Sequence, residues 1–315
     1  MEHHPELSHP RTPLQFLRLY LTGFAMGAAD IVPGVSGGTM AFILGIYENL
    51  IDAIKSFNLG AIRLAVGFKV AEFIRHTSLF FLIALGLGIL TAIFALSNIL
   101  GTLLETQPTY IFAFFGGLIL ASIVAVGVKI RWGTGTLISL VVAAVAAYVI
   151  VGLPVLQNAD HSLPVLFVSG AIAICAMILP GISGSFILLI LGQYEFVLGA
   201  VRSLDILSLA AVAAGCVVGI VIFSRVLSYL LHNHEQVTIA ALVGFMIGSL
   251  RTIWERASAG TELIPNFGAA EIALAAGLVF AGFVLVSTLD HLQSGQNPAL
   301  RWLWKRDKKA VREAA

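Results

Sequence analysis

Charge is what this sequence has least of. Asp, Glu, Lys and Arg supply 11% of its 315 residues, against about 25% in an average soluble domain. So little charge cannot cover a water-facing surface, which excludes an ordinary soluble enzyme. Cysteine is almost missing. Cys175 and Cys216 both lie in apolar runs, which argues against a disulfide framework and reads them as small hydrophobes. Histidine is absent from those runs and is confined to tails and connections, so "HNHE" at 232–235 reads as a solvated connection and not a metal site. No metal and no cofactor is expected. The net charge of +1, with no dense basic block, gives no footprint for nucleic acid. The opening "MEHHPELSHPRT" is polar and no small-residue cleavage pattern follows an apolar core, so no signal peptide is expected.

What the chain has is hydrocarbon. Hydrophobic residues make up 58% of it, the mean hydropathy is +0.96, and apolar runs of about 20 residues recur, long enough to cross roughly 30 Å of lipid. Spans are predicted at 79–104, 109–128, 134–153, 206–231, 236–250 (extending towards 254) and 269–289. Two more apolar regions, 14–54 and 165–201, are each interrupted by a Pro-Gly-Ser string, "PGVSGGT" at 33–39 and "PGISGSF" at 180–186. The fold class expected is an all-α polytopic membrane protein. Between 55 and 78, Lys55, Arg63, Lys69 and Arg75 are spaced among apolar residues as in one amphipathic surface helix. The segment from Arg301 alternates tryptophan with basic residues, which suits an exit at the membrane interface.

Lys and Arg gather at Arg11 and Arg18, in 55–75, at Lys129 and Arg131, and in the C-terminal tail, while 105–108 and 154–164 have none. Placing the basic connections in the cytoplasm requires region 14–54 to enter and leave on one side, as a hairpin or re-entrant pair. Both termini are then cytoplasmic, and Arg202, Arg251 and Arg256 face outward.

The interruptions belong to a repeat. Residues 23–56 and 170–203 align without a gap, and fourteen of 34 positions are identical, including Pro33, Gly34, Ser36, Gly37, Gly45, Tyr47 and Glu48 with their partners 147 positions later. Three predicted spans follow each copy. An odd number of crossings between copies inverts one against the other, the inverted-repeat plan of secondary transporters. The expected organisation is a cytoplasmic tail at 1–12, repeat 1 at 13–153, an external linker at 154–164, repeat 2 at 165–290 and a basic cytoplasmic tail at 291–315.

Each string is expected to end one apolar helix near Val32 or its counterpart and start another near Ser36 or Ser183. A helix start leaves N–H groups without intrahelical partners, costly in lipid unless satisfied and attractive to an anion. The candidate phosphate-binding residues are therefore Gly34, Ser36, Gly37, Gly38, Thr39, Gly181, Ser183, Gly184 and Ser185, with Arg225 as an intramembrane cation. Ser36 and Ser183 fit equally the role of helix caps. Tyr47–Glu48 and Tyr194–Glu195, expected near the far ends of the second helices, and Asp30, which faces Met177 across the repeat, are candidates for gating or for carrying a coupling ion. Asp30 fits equally the role of satisfying exposed amides. "GVSG" and "GISG" also match the G-x-S-G of intramembrane serine proteases, but that chemistry needs a histidine base and no span contains one. A small-anion channel or ion-coupled anion transporter remains the open alternative.

"ADIVPGVSGGTMAFILGIYENLIDAI" and "LPGISGSFILLILGQYE" closely resemble a bacterial and archaeal family long catalogued only as a domain of unknown function and now associated with undecaprenyl-phosphate (polyprenyl-phosphate) translocation. The resemblance runs from about 12 to 290. It implies a multi-pass protein of the cytoplasmic membrane that returns the carrier lipid phosphate from the outer to the cytoplasmic leaflet for reuse in envelope synthesis. The implied partners are that lipid, the surrounding membrane lipids and, because the headgroup moves inward against the membrane potential, H⁺ or Na⁺. The resemblance assigns no residue roles, and Met177, Ser185 and Phe186 depart from repeat 1, which puts a strictly symmetric site in doubt.

Overall fold

Fourteen helices account for the regular structure of the described residues (10–32, 35–258, 268–294 and 297) in the computed structural model. Six of them are long and apolar enough to cross a membrane: α6 (Leu79–Thr106), α7 (Pro108–Gly127), α8 (Thr134–Val151), α12 (Ile206–Asn233), α13 (Glu235–Ala257) and α14 (Ala269–Ser294). The six predicted spans are all there. α13 runs to Ala257, a little beyond the expected reach towards 254, with Ser249, Thr252 and Ile253 buried along its last turns.

The two interrupted regions fold alike. The first contains α1 (Pro13–Ile31), α2 (Gly37–Ile43) and α3 (Tyr47–Lys55), and the second α9 (Leu163–Ile178), α10 (Gly184–Ile190) and α11 (Tyr194–Ser203). α1 starts on a capping box, in which Thr12 accepts from the Gln15 N–H and Gln15 accepts from the Thr12 N–H, with proline in the first turn, where its missing N–H costs nothing. The expected breaks after Val32 and before Ser36 and Ser183 are present: Val32 and Leu179 close the first helices, and Ser36 and Ser183 stand at the caps of the next. Pro33 and Gly34 lie outside the described residues.

The second helices correct the sequence reading. α2 and α10 are only seven residues long, so Tyr47 and Tyr194 open a third helix instead of closing the second. Gly45 and Gly192 cause this: each takes a positive φ, 69° and 67°, a left-handed turn through which a helix does not propagate. α10 and α11 meet at 105°. The 55–78 connection is corrected too. It forms two helices, α4 (Leu59–Val66) and α5 (Val70–His76), because Phe68 takes a φ of 54° just after Gly67 ends α4. Leu59, Ile62, Val66, Phe68 and Val70 remain exposed, as for a pair lying in a membrane interface.

Packing pairs α1 with α6 and α9 with α12. It also pairs α8 with α13 and α7 with α14, and α7 and α13 meet at the centre. Small residues allow these approaches, as in membrane bundles generally. A Cβ on Gly23 would strike the Leu85 carbonyl and one on Gly215 the Phe167 carbonyl. One contact has no counterpart: α3 lies along α12, whereas α11 makes no comparable contact with α6. Accordingly Tyr47, Asn49, Ile51 and Ala53 are buried on α3, and only Ala200 on α11.

Candidate functional site

The two interrupted strings touch, although 147 positions separate them in sequence. Ser36 Oγ accepts from the Gly38 N–H at 3.1 Å and donates to the Met177 carbonyl at 2.9 Å. Tyr47 donates its hydroxyl to the Ile178 carbonyl at 3.0 Å. Thr39 Oγ1 accepts from the Gly181 N–H at 2.8 Å. Side chains of the first segment thus satisfy backbone groups that the break in the second leaves without helical partners. Ser36, Thr39 and Tyr47 are buried at 0%, 1% and 0% exposure, so the three bonds form a dry latch. The two glycines of first importance here are Gly38, where a Cβ would come within 2.6 Å of the Ile178 carbonyl, and Gly181, whose φ of +92° disfavours any side chain.

The two helix starts differ. At α2, Asp30 Oδ1 accepts from the Gly37 N–H at 2.7 Å, Ser36 Oγ takes the Gly38 N–H, and the Ser36 carbonyl takes the Thr39 N–H. Every free amide of that start has a protein acceptor, so Asp30 satisfies an exposed amide, one of the two roles open for it in the sequence. At α10, Met177 stands where Asp30 stands in the first copy, Ser183 makes no capping bond, and its hydroxyl pairs with that of Ser185 at 2.8 Å. Among the described residues, no acceptor meets the first N–H groups of α10. Ser183 and Gly184 are buried and Ser185 is exposed.

The remaining sequence candidates separate. Tyr47 stacks edge-on against Phe42, ring centroids 5.3 Å apart, inside the core, while Tyr194 and Glu195 are exposed and Glu48 is half-buried. Arg225 is exposed on α12, one turn before Ser228 rather than beside the strings. Ser228 belongs to a cluster that joins α3 to α12: Lys55 donates to Ser228 Oγ at 2.9 Å, Ser228 donates to Asp52 at 2.9 Å, and His232 stands 3.7 Å from Asp52. Lys55, read from sequence as part of an amphipathic surface helix, is held here at the end of α3. At the opposite end, the turn before α11 is tied to the 154–164 connection. Gln193 donates to the Asp160 carbonyl at 2.9 Å, and its amide oxygen meets His161 Nδ1 at 2.8 Å. Ser162 donates to Asp160 through both its hydroxyl and its N–H and holds that carboxyl below the usual range.

Two groups with no sequence pattern linking them to the strings stand near the second of them. Arg256 lies over the Phe186 ring, 5.8 Å from its centroid, and Thr252 is buried one turn earlier on the same helix. A half-buried arginine at a span's end reads in sequence only as an outward charge; its neighbour Phe186 is supplied by the tertiary fold.

The profile of the family described as undecaprenyl phosphate translocase-like matches residues 26–271. The chain is 46% identical over 242 residues to a polyprenyl-phosphate transporter of Vibrio cholerae serotype O1, covering 76% of this chain and 78% of the relative. It is 36% identical over 255 residues to a polyprenyl-phosphate transporter of Staphylococcus aureus, covering 74% and 84%. No solved structure matches the chain.

Proposed function

We infer, on the premise that this chain belongs to the undecaprenyl phosphate translocase-like family, that it carries a polyprenyl phosphate across the membrane. The observation that carries the reading is the contact between the two broken segments. Three polar side chains of one satisfy the opened backbone of the other, while one helix start keeps amides and a hydroxyl pair available. A lipid with one anionic head and an apolar tail needs a polar point among spanning helices, and broken helices are the way backbone is opened there.

The halves form inverted repeats: α2 and α10 start 147 residues apart (184 − 37), and α6 and α12, the first long helix after each, are both 28 residues long. The α3–α12 end faces the cytoplasm, supported by Lys55, Arg63, Lys69, Arg75, Lys129 and Arg131 there and by the lack of Lys and Arg in 105–108 and 154–164 at the other end. The molecule is then closed towards the cytoplasm and open outward. Tyr47 latched and Tyr194 exposed are two settings of one gate, and rocking of the repeats exchanges them and leads the head past Arg225.

Net transport runs from the outer to the cytoplasmic leaflet, for reuse of the carrier in envelope synthesis. A phosphate monoester carries about −1.5 to −2 charges, and moving each inward against roughly 100 mV costs about 2.3 kcal/mol. A co-moving H⁺ or Na⁺ offsets this, with Asp30 its first binding point and Glu48 and Glu195 the acids nearer the ends. The test uses the full chain in liposomes with undecaprenyl phosphate in one leaflet, read by its arrival in the other. Protein-dependent arrival that falls with Ser36→Ala and Ser183→Ala is expected. Folded protein that moves chloride or inorganic phosphate but no lipid under an imposed gradient would overturn the reading.

A further inference from the structure

α13 presents two chemically opposite faces near its C-terminal end, each to a separate cavity. The first cavity, about 470 Å³, is lined by Thr252, Glu255 and Arg256 of α13, by Phe112 of α7 and by Phe186 and Ile190 of α10, among others. Two of its polar groups, on Arg256 and Thr252, have no hydrogen-bond partner among the described residues, whereas the third is engaged. Glu255 is paired with Arg251 at 2.7 Å. Among the described residues, no hydrogen bond or ion pair claims the Arg256 guanidinium; its close contact is the Phe186 ring. Thr252 is 3% exposed, and its Oγ1 has no hydrogen-bond partner. Buried hydroxyls are normally satisfied. Glu255 acts on Arg256 electrostatically but its close partner is Arg251, so the Arg256 guanidinium keeps its donors free for a bidentate oxyanion. Four residues apart, the two side chains lie on one face of the helix. Phe186 directly follows Ser185, so the cavity borders the helix start whose amides are free.

The second cavity, about 610 Å³, is almost wholly apolar and lies between α7, α13 and α14, with Gly116, Leu120, Ile253, Trp254, Ala276 and Val279 in its wall. Phe112 lines both cavities, and Thr252 and Ile253, adjacent in sequence, face one each. An unclaimed cation on one side of a wall and a hydrocarbon-lined groove on the other match a single-tailed lipid phosphate. A soluble anion uses the first cavity alone, and a neutral lipid only the second.

We propose that Arg256 and Thr252 hold the phosphate of the polyprenyl substrate beside the second broken segment, while its first isoprenoid units run past Phe112 into the groove between α7, α13 and α14. This rests on the transport reading above. It makes the Arg256 cavity the point at which the outward-open protein takes up its cargo, before the head passes to Ser183 and Ser185.

The test measures equilibrium binding to the full chain in lipid nanodiscs of three probes: undecaprenyl phosphate, undecaprenol and inorganic phosphate. Arg256→Gln and Thr252→Val remove the head contacts, Arg256→Lys retains charge without the planar fork, and Ala276→Trp fills the groove. Arg256→Gln is expected to weaken undecaprenyl phosphate about 10- to 100-fold, the loss of a charge-assisted bond, with Arg256→Lys intermediate and undecaprenol unchanged. Ala276→Trp is expected to weaken both lipids. Undecaprenol binding also reports that each head-contact variant is folded, an unchanged detergent melt reports it for Ala276→Trp, and Thr252→Val, nearly isosteric, carries the head test if an Arg256 substitution disturbs folding. Inorganic phosphate competing as well as the lipid overturns the groove assignment. Wild-type affinity for undecaprenyl phosphate in Arg256→Gln and Thr252→Val overturns the head assignment. If the wild type moves undecaprenyl phosphate in liposomes while these variants do so equally well, the inference fails and the transport reading stands. If the wild type neither binds nor moves it, the transport reading itself fails.

Discussion

Asp30 and Met177 hold equivalent places in two otherwise similar segments, and one carboxylate separates them. Asp30 caps the Gly37 N–H, so two roles can be told apart by substitution. Asn keeps an acceptor for that amide and loses the charge, whereas Leu loses both. Asp30→Asn is expected to melt within about 0.5 kcal/mol of wild type and Asp30→Leu to lose about 1–3 kcal/mol, the cost of an unmet amide. In liposomes, Asp30→Asn is expected to transport without responding to pH or Na⁺ gradients. An unchanged response would leave Asp30 a cap alone. Tyr47 makes one hydroxyl bond across the segments, and Tyr47→Phe is expected to cost about 0.5–1.5 kcal/mol in a detergent melt. Tyr194→Phe, at an exposed site, is expected to leave the melt unchanged.

Among the elements, the short helices α2 and α10 matter through their ends. Gly38 lets α2 approach the Met177 and Ile178 carbonyls, and the Cβ of Gly38→Ala would sit 2.6 Å from the latter. The segments must then part, at about 1–3 kcal/mol. The expected outcome is a lower melting point together with slower lipid transfer. Loss of stability with full transport would show that the latch is structural only. α12 is capped by the residue just before its apolar span. Asp205 accepts from the Ser208 N–H and hydroxyl, which hold its carboxyl below the ordinary value. A group with a lowered folded pKa adds stability above its unfolded pKa and loses it as pH falls through the folded one. The difference in melting point between wild type and Asp205→Ala is therefore expected to be full at pH 7 and to close below the usual carboxylate range.

For the whole molecule, the proposed rocking of the repeats turns on one asymmetry: α3 lies along α12, whereas α11 makes no comparable contact with α6. Lys55 and Ser228, 2.9 Å apart at their polar atoms, join α3 to α12 at the end proposed to be closed. With Cys175 and Cys216 replaced by alanine, Lys55→Cys and Ser228→Cys joined by a short bifunctional thiol reagent are expected to arrest transport, with recovery when the linker is cleaved. Undiminished transport in the linked protein would show that this end need not open.

The sequence alone determined the membrane class, six spans and the two interruptions, because a spanning helix must be continuously apolar and Pro-Gly-Ser strings leave that pattern at identifiable residues. It also determined the repeat, since Pro, Gly, Tyr and Glu at matched positions exceed shared apolarity. Only the tertiary structure decided who satisfies whom. Ser36, Thr39 and Tyr47 turn to the other segment's backbone, a choice between distant chain regions that no local pattern encodes. Gly45 and Gly192 looked like any glycine in an apolar run until their positive φ values split the second helices. Arg256 and Thr252, ordinary residues near a span's end, gain meaning from Phe186 and Phe112, brought to them from other helices. The physical reason is common to all three cases: period and composition are local, whereas the partner of an opened backbone group or an unpaired charge is set by packing.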